Sequence, residues 1–314
     1  MNKINKYIND INRVEFTITH SCTSNCKHCS VGKNKCSGKL DKLNAANVLI
    51  ELSKEFQIES VMTFGGEPLL FFDTTFTIHK TAKVCGIPHR QIITNGYFTN
   101  DDEKIRKCAI ELVESGINDV LLSVDCFHQE YVPVDKVYEF AKCLNKVYKR
   151  RIRLHPAWVV NEHHDNTYNR KTKEYLAYFN DIGMECSSGN NIFPEGNAII
   201  YLADYFTKKP IDINFKCGDS PYTDDLECIS GITISPNGDV GVCSFTIGNI
   251  NKNDILNILA DYNPRENPYS NALLSSGIKG LIEYAESEGK IIDISKYYSP
   301  CHICRDIVRE LSKK

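Results

Sequence analysis

The sequence predicts an α/β protein: an open, partial (β/α)6 TIM-like barrel followed by a small α+β region built on a β-hairpin. Three observations predict it. Six strand-like runs begin near positions 14, 58, 90, 118, 152 and 184, at intervals of 44, 32, 28, 34 and 32 residues, with helical patterns between them. That alternation is the βα repeat of a parallel sheet or barrel, and six units are too few for a closed eight-fold barrel. Past about Tyr205 the repeat stops, and CISGITISPNGDVGVCSF reads as two alternating runs joined around Asn237-Gly238, a strong hairpin signal. The expected boundary therefore separates a barrel of residues 1–205 from a C-terminal module of residues 206–314.

The elements follow in order. VEFTIT, from Val14, alternates apolar and polar residues as a first strand. DKLNAANVLIELSKEF, from Asp41, has helical periodicity, and IESVMTF, from Ile58, is β-branched, apolar and followed by Gly-Gly. A helix is expected around Thr74 to Val84, then the strand RQIIT from Arg90, ended by Asn95-Gly96. DDEKIRKCAIELVESG carries acidic residues in its first turn and Gly116 at its end, both helix signals. NDVLLSV from Asn118, the helix VDKVYEFAKCLNKVYK, RIRLHPAWVV from Arg151, the helix RKTKEYLAYFNDIG and a weaker strand MECSSGNNIF from Met184 complete the series. In the C-terminal region a helix is expected from Asp254.

Composition removes several classes. The 314 residues carry 37 basic against 40 acidic side chains, a net charge of -3, which argues against nucleic-acid binding through a basic face. No apolar run approaches the ~18 residues of a membrane helix, and MNKINKYINDINR lacks the apolar core of a signal peptide. A cytoplasmic protein is expected, so its fourteen cysteines should be reduced thiols or metal ligands rather than disulfides. Cys85, Cys108, Cys126, Cys143 and Cys186 are scattered through apolar or helical stretches and read as small buried hydrophobes. The others gather towards the two ends of the chain.

Directly after the first strand, Cys22, Cys26 and Cys29 form C-x3-C-x2-C. Three thiolates on one short loop can each hold one iron of a cubane cluster and leave the fourth iron open. A structural zinc site would recruit a fourth ligand, for which His28, His20 or Cys36 stands nearby. Gly65-Gly66-Glu67-Pro68 ends the second strand; two glycines let a backbone approach a ligand closely, and Glu67 adds an acceptor. Thr94-Asn95-Gly96 follows strand three, Ser123 and Asp125 end strand four, and Pro194-Glu195-Gly196-Asn197 follows strand six. Asp125, His128, Gln129, His155 and Trp158 fall at or near the top edge of strands four and five. All five are candidates for substrate contacts, and Asp125, His128 and His155 are also the candidate catalytic groups. At the far end, Cys228-x9-Gly238-x4-Cys243 and Cys301-x2-Cys304 supply four thiolates, enough for a [4Fe-4S] cluster or a zinc ion.

The cysteine loop, together with the Gly-Gly-Glu-Pro turn one βα unit later, resembles the radical S-adenosylmethionine (radical SAM) superfamily. The resemblance implies that Cys22, Cys26 and Cys29 ligate a reducing [4Fe-4S] cluster whose open iron chelates S-adenosylmethionine. One-electron cleavage then yields a 5′-deoxyadenosyl radical that abstracts hydrogen from a substrate. It implies cofactor contacts from Gly65, Gly66, Glu67, Pro68, Asn95, Ser123 and Asp125, and from His28, which stands where the family usually has an aromatic residue. The C-terminal cysteines resemble the SPASM/twitch type of auxiliary-cluster domain in its short, one-cluster form, with Cys228, Cys243, Cys301 and Cys304 as ligands of a second [4Fe-4S] cluster and Cys217 as a spare core thiol, a fifth ligand or a substrate-facing group. The family layout implies a peptide-modifying oxidoreductase working anaerobically, with small-molecule oxidation or rearrangement as the alternative. It also implies an electron donor such as flavodoxin or ferredoxin. Only about 13 residues precede the expected first strand, so recognition of a peptide leader is expected to need a separate protein or another surface. A metal-bearing scaffold or redox sensor is the non-enzymatic alternative.

Overall fold

Short polar side chains start most of the helices. Asp41 accepts hydrogen bonds from the amides of Leu43 and Asn44 ahead of α1 (Lys42–Glu55). Asp101 does the same from Glu103 and Lys104 for α3 (Asp102–Glu114), and Asn166 from Asn169 for α5 (Thr167–Ala177). Each cap satisfies amides the helix itself leaves open, worth about 1 kcal/mol. The computed structural model describes residues 5–32, 38–147, 151–218 and 225–312.

The strands are β1 (Ile8–Thr17), β2 (Ser60–Phe64), β3 (His89–Thr94), β4 (Asp119–Leu122) and β5 (Arg151–Leu154), with α2 (Phe72–Val84) and α4 (Val134–Val147) completing the crossovers. The expected fifth and sixth strands are each broken in two. Pro156 has no amide to give the ladder, and the chain resumes as β6 (Ala157–Trp158). The sixth becomes β7 (Glu185–Cys186), which continues the main sheet beside β5, and β8 (Asn190–Asn191), which pairs with β6 in a separate two-stranded sheet. A short α6 (Asn197–Tyr201) follows.

The C-terminal region adds β9 (Ile229–Ile234), β10 (Asp239–Val242), β11 (Phe245–Asn249), α7 (Ile255–Ala260), α8 (Pro268–Ser287) and α9 (Pro300–Leu311). The hairpin turns at Asn237-Gly238 as expected. It does not stand apart, however: β9 pairs in parallel with β1, giving one nine-stranded open sheet in the order β11-β10-β9-β1-β2-β3-β4-β5-β7. This pairing also starts β1 at Ile8, six residues before the expected Val14, through the pair Ile8–Ile229. The barrel's first strand thereby loses its exposed edge.

One core joins both halves. Val14, Phe16 and Leu49 of the barrel pack in the same cluster as Ile232, Val240, Leu281 and Ile307. A second core fills the space between β3, β4 and helices α3 and α4, around Ile92, Val120, Leu112 and Phe140. Among the described residues no helix is long and apolar enough to cross a membrane. The shared core predicts one cooperative unfolding transition. Ile232 is 2% exposed at the seam, so Ile232→Ala should lower the stability of the whole chain by about 2–5 kcal/mol. Calorimetry showing a barrel transition unmoved by this change would mean that the halves fold independently.

Candidate functional site

The loops at the C-terminal ends of the strands enclose a cavity of about 310 Å³. Cys22, Cys26 and Cys29 line it, with Gly65 and Gly66 beside them. His28, Ser123, Asp125, His128 and His155 are part of its polar wall, as is His20. Ser24 Oγ lies 3.2 Å from the Cys22 sulfur and 3.4 Å from that of Cys26. Cys36 lies outside the described residues.

The loop is held from two sides by backbone contact. On the β2 side, Gly66 N donates to Thr19 O at 2.7 Å and Glu67 N to Ser21 O at 2.8 Å. A Cβ on Gly66 would lie 2.0 Å from Ser21 O, and one on Gly65 2.4 Å from Thr19 O. On the opposite side, Asn197 N donates to Cys29 O at 3.0 Å, and Asn197 Nδ2 to Cys26 O at 3.0 Å. A Cβ on Gly196 would meet Cys29 O and Ser30 O, each at 2.4 Å. The glycines of the Gly-Gly-Glu-Pro turn are thus explained first by the loop they press against. Asn197, whose loop the sequence marked only weakly, grips two of the three cysteine carbonyls.

Glu67 and Pro68 are buried beneath the cavity and do not line it. Glu67 accepts from Leu69 N at 2.9 Å, Thr94 Oγ1 at 2.6 Å and Asn95 N at 2.8 Å, tying the end of β2 to the end of β3. Burial pushes its carboxyl up to about 7 although these donors pull the other way. Asn95 is also off the cavity wall, but its Nδ2 reaches the Cys22 sulfur at 3.7 Å.

The acid and histidines after β4 form a structural knot. Asp125 is fully buried and accepts from Phe127 N, His128 N, His128 Nδ1 and Ala157 N at 2.9–3.1 Å. Burial alone would raise its carboxyl, but the His128 charge and hydrogen bonds outweigh it and hold Asp125 well below the usual carboxylate range. His128 is likewise penalised by burial, yet Asp125 lifts it well above the ordinary histidine value. Burial lowers neighbouring His28 to about 4, so its ring is neutral, and its Nδ1 is buried without a hydrogen-bond partner. One ligand-capable atom from each of His28, Asp125 and His128 lies within 4.8 Å of the others. Because His128 Nδ1 and Asp125 are committed to each other, this is an ion pair with a packed ring rather than an ion site. His155 is held by Ser187 Oγ at 2.8 Å and Asn190 Nδ2 at 2.9 Å. Gln129 caps Asp125 N through its Oε1, and Trp158 is buried core with Nε1 bonded to Ser188 O; neither lines the cavity.

A second cavity of about 430 Å³ adjoins the first, and Phe193 lines both. Cys243, Cys301 and Cys304 face it as expected. Cys228 does not: it is exposed at the start of β9, and Cys217 takes its place on the wall. Cys217 and Cys243 are within hydrogen-bond reach of each other, an interaction that lowers Cys243 and raises Cys217. No three cysteine sulfurs among the described residues lie within 4.8 Å of one another. A single tetrahedral zinc at a Zn–S distance of about 2.3 Å needs sulfurs ~3.8 Å apart. Among the described residues no three sulfurs of either set meet that spacing, although Cys217 and Cys243 are within hydrogen-bond reach of each other.

The close approach at Gly66 changes what its substitution should do. If the glycine served ligand approach alone, Gly66→Val would weaken cofactor binding and spare the iron. The structure instead predicts that even Gly66→Ala displaces Ser21 and reduces the iron held by Cys22, Cys26 and Cys29 to well under half. Iron analysis of the anaerobically purified variant checks this, and full occupancy would refute it.

Residues 16–188 match the profile of the radical SAM superfamily. The GTP 3′,8-cyclase of Lactiplantibacillus plantarum is 23% identical over 178 residues, 54% of this chain and 50% of that protein. Molybdenum cofactor biosynthesis protein 1 of Dictyostelium discoideum is 26% identical over 33% of this chain and 17% of its own length. The chain spans about half or less of these curated relatives. Among solved structures, Streptococcus suis SuiB bound to precursor peptide SuiA has a TM-score of 0.57 at 16% identity, covering 94% of this chain and 76% of that one. The anSMEcpe structure with bound AdoMet and the Kp18Cys peptide has a TM-score of 0.52 at 14% identity, covering 93% and 88%. At such identities these two structures speak for the fold, and the profile, which spans more than half of the chain, for descent: the chain belongs to the radical SAM superfamily.

Proposed function

We propose that this radical SAM enzyme carries an auxiliary [4Fe-4S] cluster in a twitch-type C-terminal region and modifies a peptide. The family implies S-adenosylmethionine and one [4Fe-4S] cluster, and the residues present fit both. Cys22, Cys26 and Cys29 would hold three irons, with Gly65, Gly66, Ser123 and His28 beside the place left for the nucleoside. When bound, these groups supply one-electron reductive cleavage and a radical able to abstract hydrogen. The chain's own residues set the geometry. Gly66 and Asn197 fix the thiol loop, the Asp125–His128 pair fixes the floor, and His28 packs edge-on against Phe127 with ring centroids 5.0 Å apart.

The observation that carries the reading is Phe193, which stands in the wall of both cavities. A substrate seated against it would lie between the two thiol sets. The second cavity, which the auxiliary cluster would occupy, is mostly apolar, with Phe215, Leu273, Ile278 and Tyr298 among its lining, so a peptide side chain would sit at the rim formed by Phe193. Similarity to GTP 3′,8-cyclases favours a small molecule as the second reading. A nucleoside triphosphate, however, brings several negative charges that call for Lys or Arg. Among the described residues lining either cavity, Arg305 is the one lysine or arginine, and its Nε pairs with Glu195 at 3.1 Å.

Anaerobically purified protein should hold about eight irons per chain, absorb near 400 nm and, with dithionite, form 5′-deoxyadenosine. The triple variant Cys22→Ala, Cys26→Ala, Cys29→Ala should keep about four irons and form none. Residual 5′-deoxyadenosine above a no-enzyme control would remove the barrel assignment, and two zincs in place of iron would end the enzymatic reading.

A further inference from the structure

We infer that the C-terminal cluster is closed by Cys217, Cys243, Cys301 and Cys304, and that Cys228 is not a ligand. The inference rests on the auxiliary-cluster reading and departs from the C-x9-G-x4-C spacing that singled out Cys228. Hairpin register explains the departure. β9 and β10 pair antiparallel through Ile234–Val240 and Thr233–Gly241. In that register the last residue of β10, Val242, stands level with Ile232, and Cys243 turns off the ladder there, whereas Cys228 lies four residues beyond Ile232, roughly 13 Å along the strand direction.

Each of the four thiols is delivered by a distinct local device. Ser299 caps α9 and Pro300 is its first residue, so Cys301 and Cys304 fall on the first turn, three apart and on one face. The positive end of the helix favours negative sulfur there. Cys243 follows β10 with φ +52°, a left-handed conformation that a residue with a side chain rarely adopts without a structural reason. Cys217 is held through a break in α8. The backbone leaves the helical region at Ser276 and Gly277. The amides just beyond the break are turned outward, and Ile278 N donates to Phe215 O at 3.1 Å and Lys279 N to Ile213 O at 2.7 Å. Gly277 has φ +65°, and a Cβ there would lie 2.7 Å from Asn214 O. The kink therefore grips the chain two residues before Cys217, whereas Cys228 does not line the second cavity.

Four protein thiolates leave no iron open. The auxiliary cluster is then of the closed class and takes no substrate ligand.

The test uses the full chain with Cys22, Cys26 and Cys29 replaced by alanine, so that all remaining iron belongs to the second site. In that background Cys217→Ser should lose most of about four irons and the absorbance near 400 nm, while Cys228→Ser keeps both. The reverse result would overturn the ligand assignment and leave the auxiliary cluster standing. No iron in the parent triple variant would overturn both. Because loss of a thiol can also unfold the region, iodoacetamide footprinting of the iron-loaded, unsubstituted protein gives a second reading. Cys228 should be alkylated and Cys217 protected until the iron is chelated; protection of Cys228 with alkylation of Cys217 would overturn the inference. Gly277→Ala leaves every cysteine in place and should also lose iron from the second site, and full retention would refute the role given to the kink.

Discussion

The site depends on one backbone contact, the approach of Gly65-Gly66 to Thr19–Ser21. A single added carbon on Gly66 would sit 2.0 Å from Ser21 O, well inside any tolerated separation, so the ends of β1 and β2 can meet at this distance only through glycine. The contact carries two amide hydrogen bonds and sets where the cysteine loop leaves the sheet. Glu67 extends it sideways to β3, and Asn95 returns from β3 to Cys22 and Thr23. A buried carboxylate that ties three strand ends is a costly group to place. Its three short hydrogen bonds offset that cost and make the arrangement specific.

The second constraint is the free edge of β1. A partial barrel leaves its first strand open to pairing, and β9 takes that edge. Because β9 leads into β10 and Cys243, one thiol of the second set hangs from the same sheet that carries the first. The Glu195–Arg305 pair bridges the barrel's last loop to α9, the helix that carries Cys301 and Cys304. Being largely exposed, it adds little stability, but it bridges the two cavity rims.

The parallel repeat, the three-cysteine loop and the hairpin were legible because each is local: alternation, close spacing and Asn-Gly chemistry lie within a few residues. What escaped was set by partners distant in sequence. Ile8 belongs to a strand only because Ile229 lies beside it. Pro156 splits a run whose composition alone looks continuous. The C-x2-C spacing put Cys301 and Cys304 on one edge without showing that a capped helix carries them. Cys228 satisfied a linear pattern that ignores how far a strand rises per residue, whereas Cys217 had no linear signal because a kink more than fifty residues later holds it. Asn197 was equally hidden, since its partners are carbonyls that any residue would offer.

The polar groups of the first cavity are largely spent on one another. Asp125 has four donors, His128 Nδ1 is bound to Asp125, and both ring nitrogens of His155 are engaged. A general acid or base needs a proton site free to reach the reacting atom and a pKa near the working pH. The Asp125–His128 pair fails the second condition, since each partner drives the other away from neutrality. Their work is to fix shape: they lock the end of β4 to the start of β6 and hold a dry wall beside the thiol loop. That division of labour fits an enzyme in which the cofactor supplies the reactivity and the protein supplies position. Specificity then falls to the rim shared with the second cavity, where Phe193 is more than half exposed.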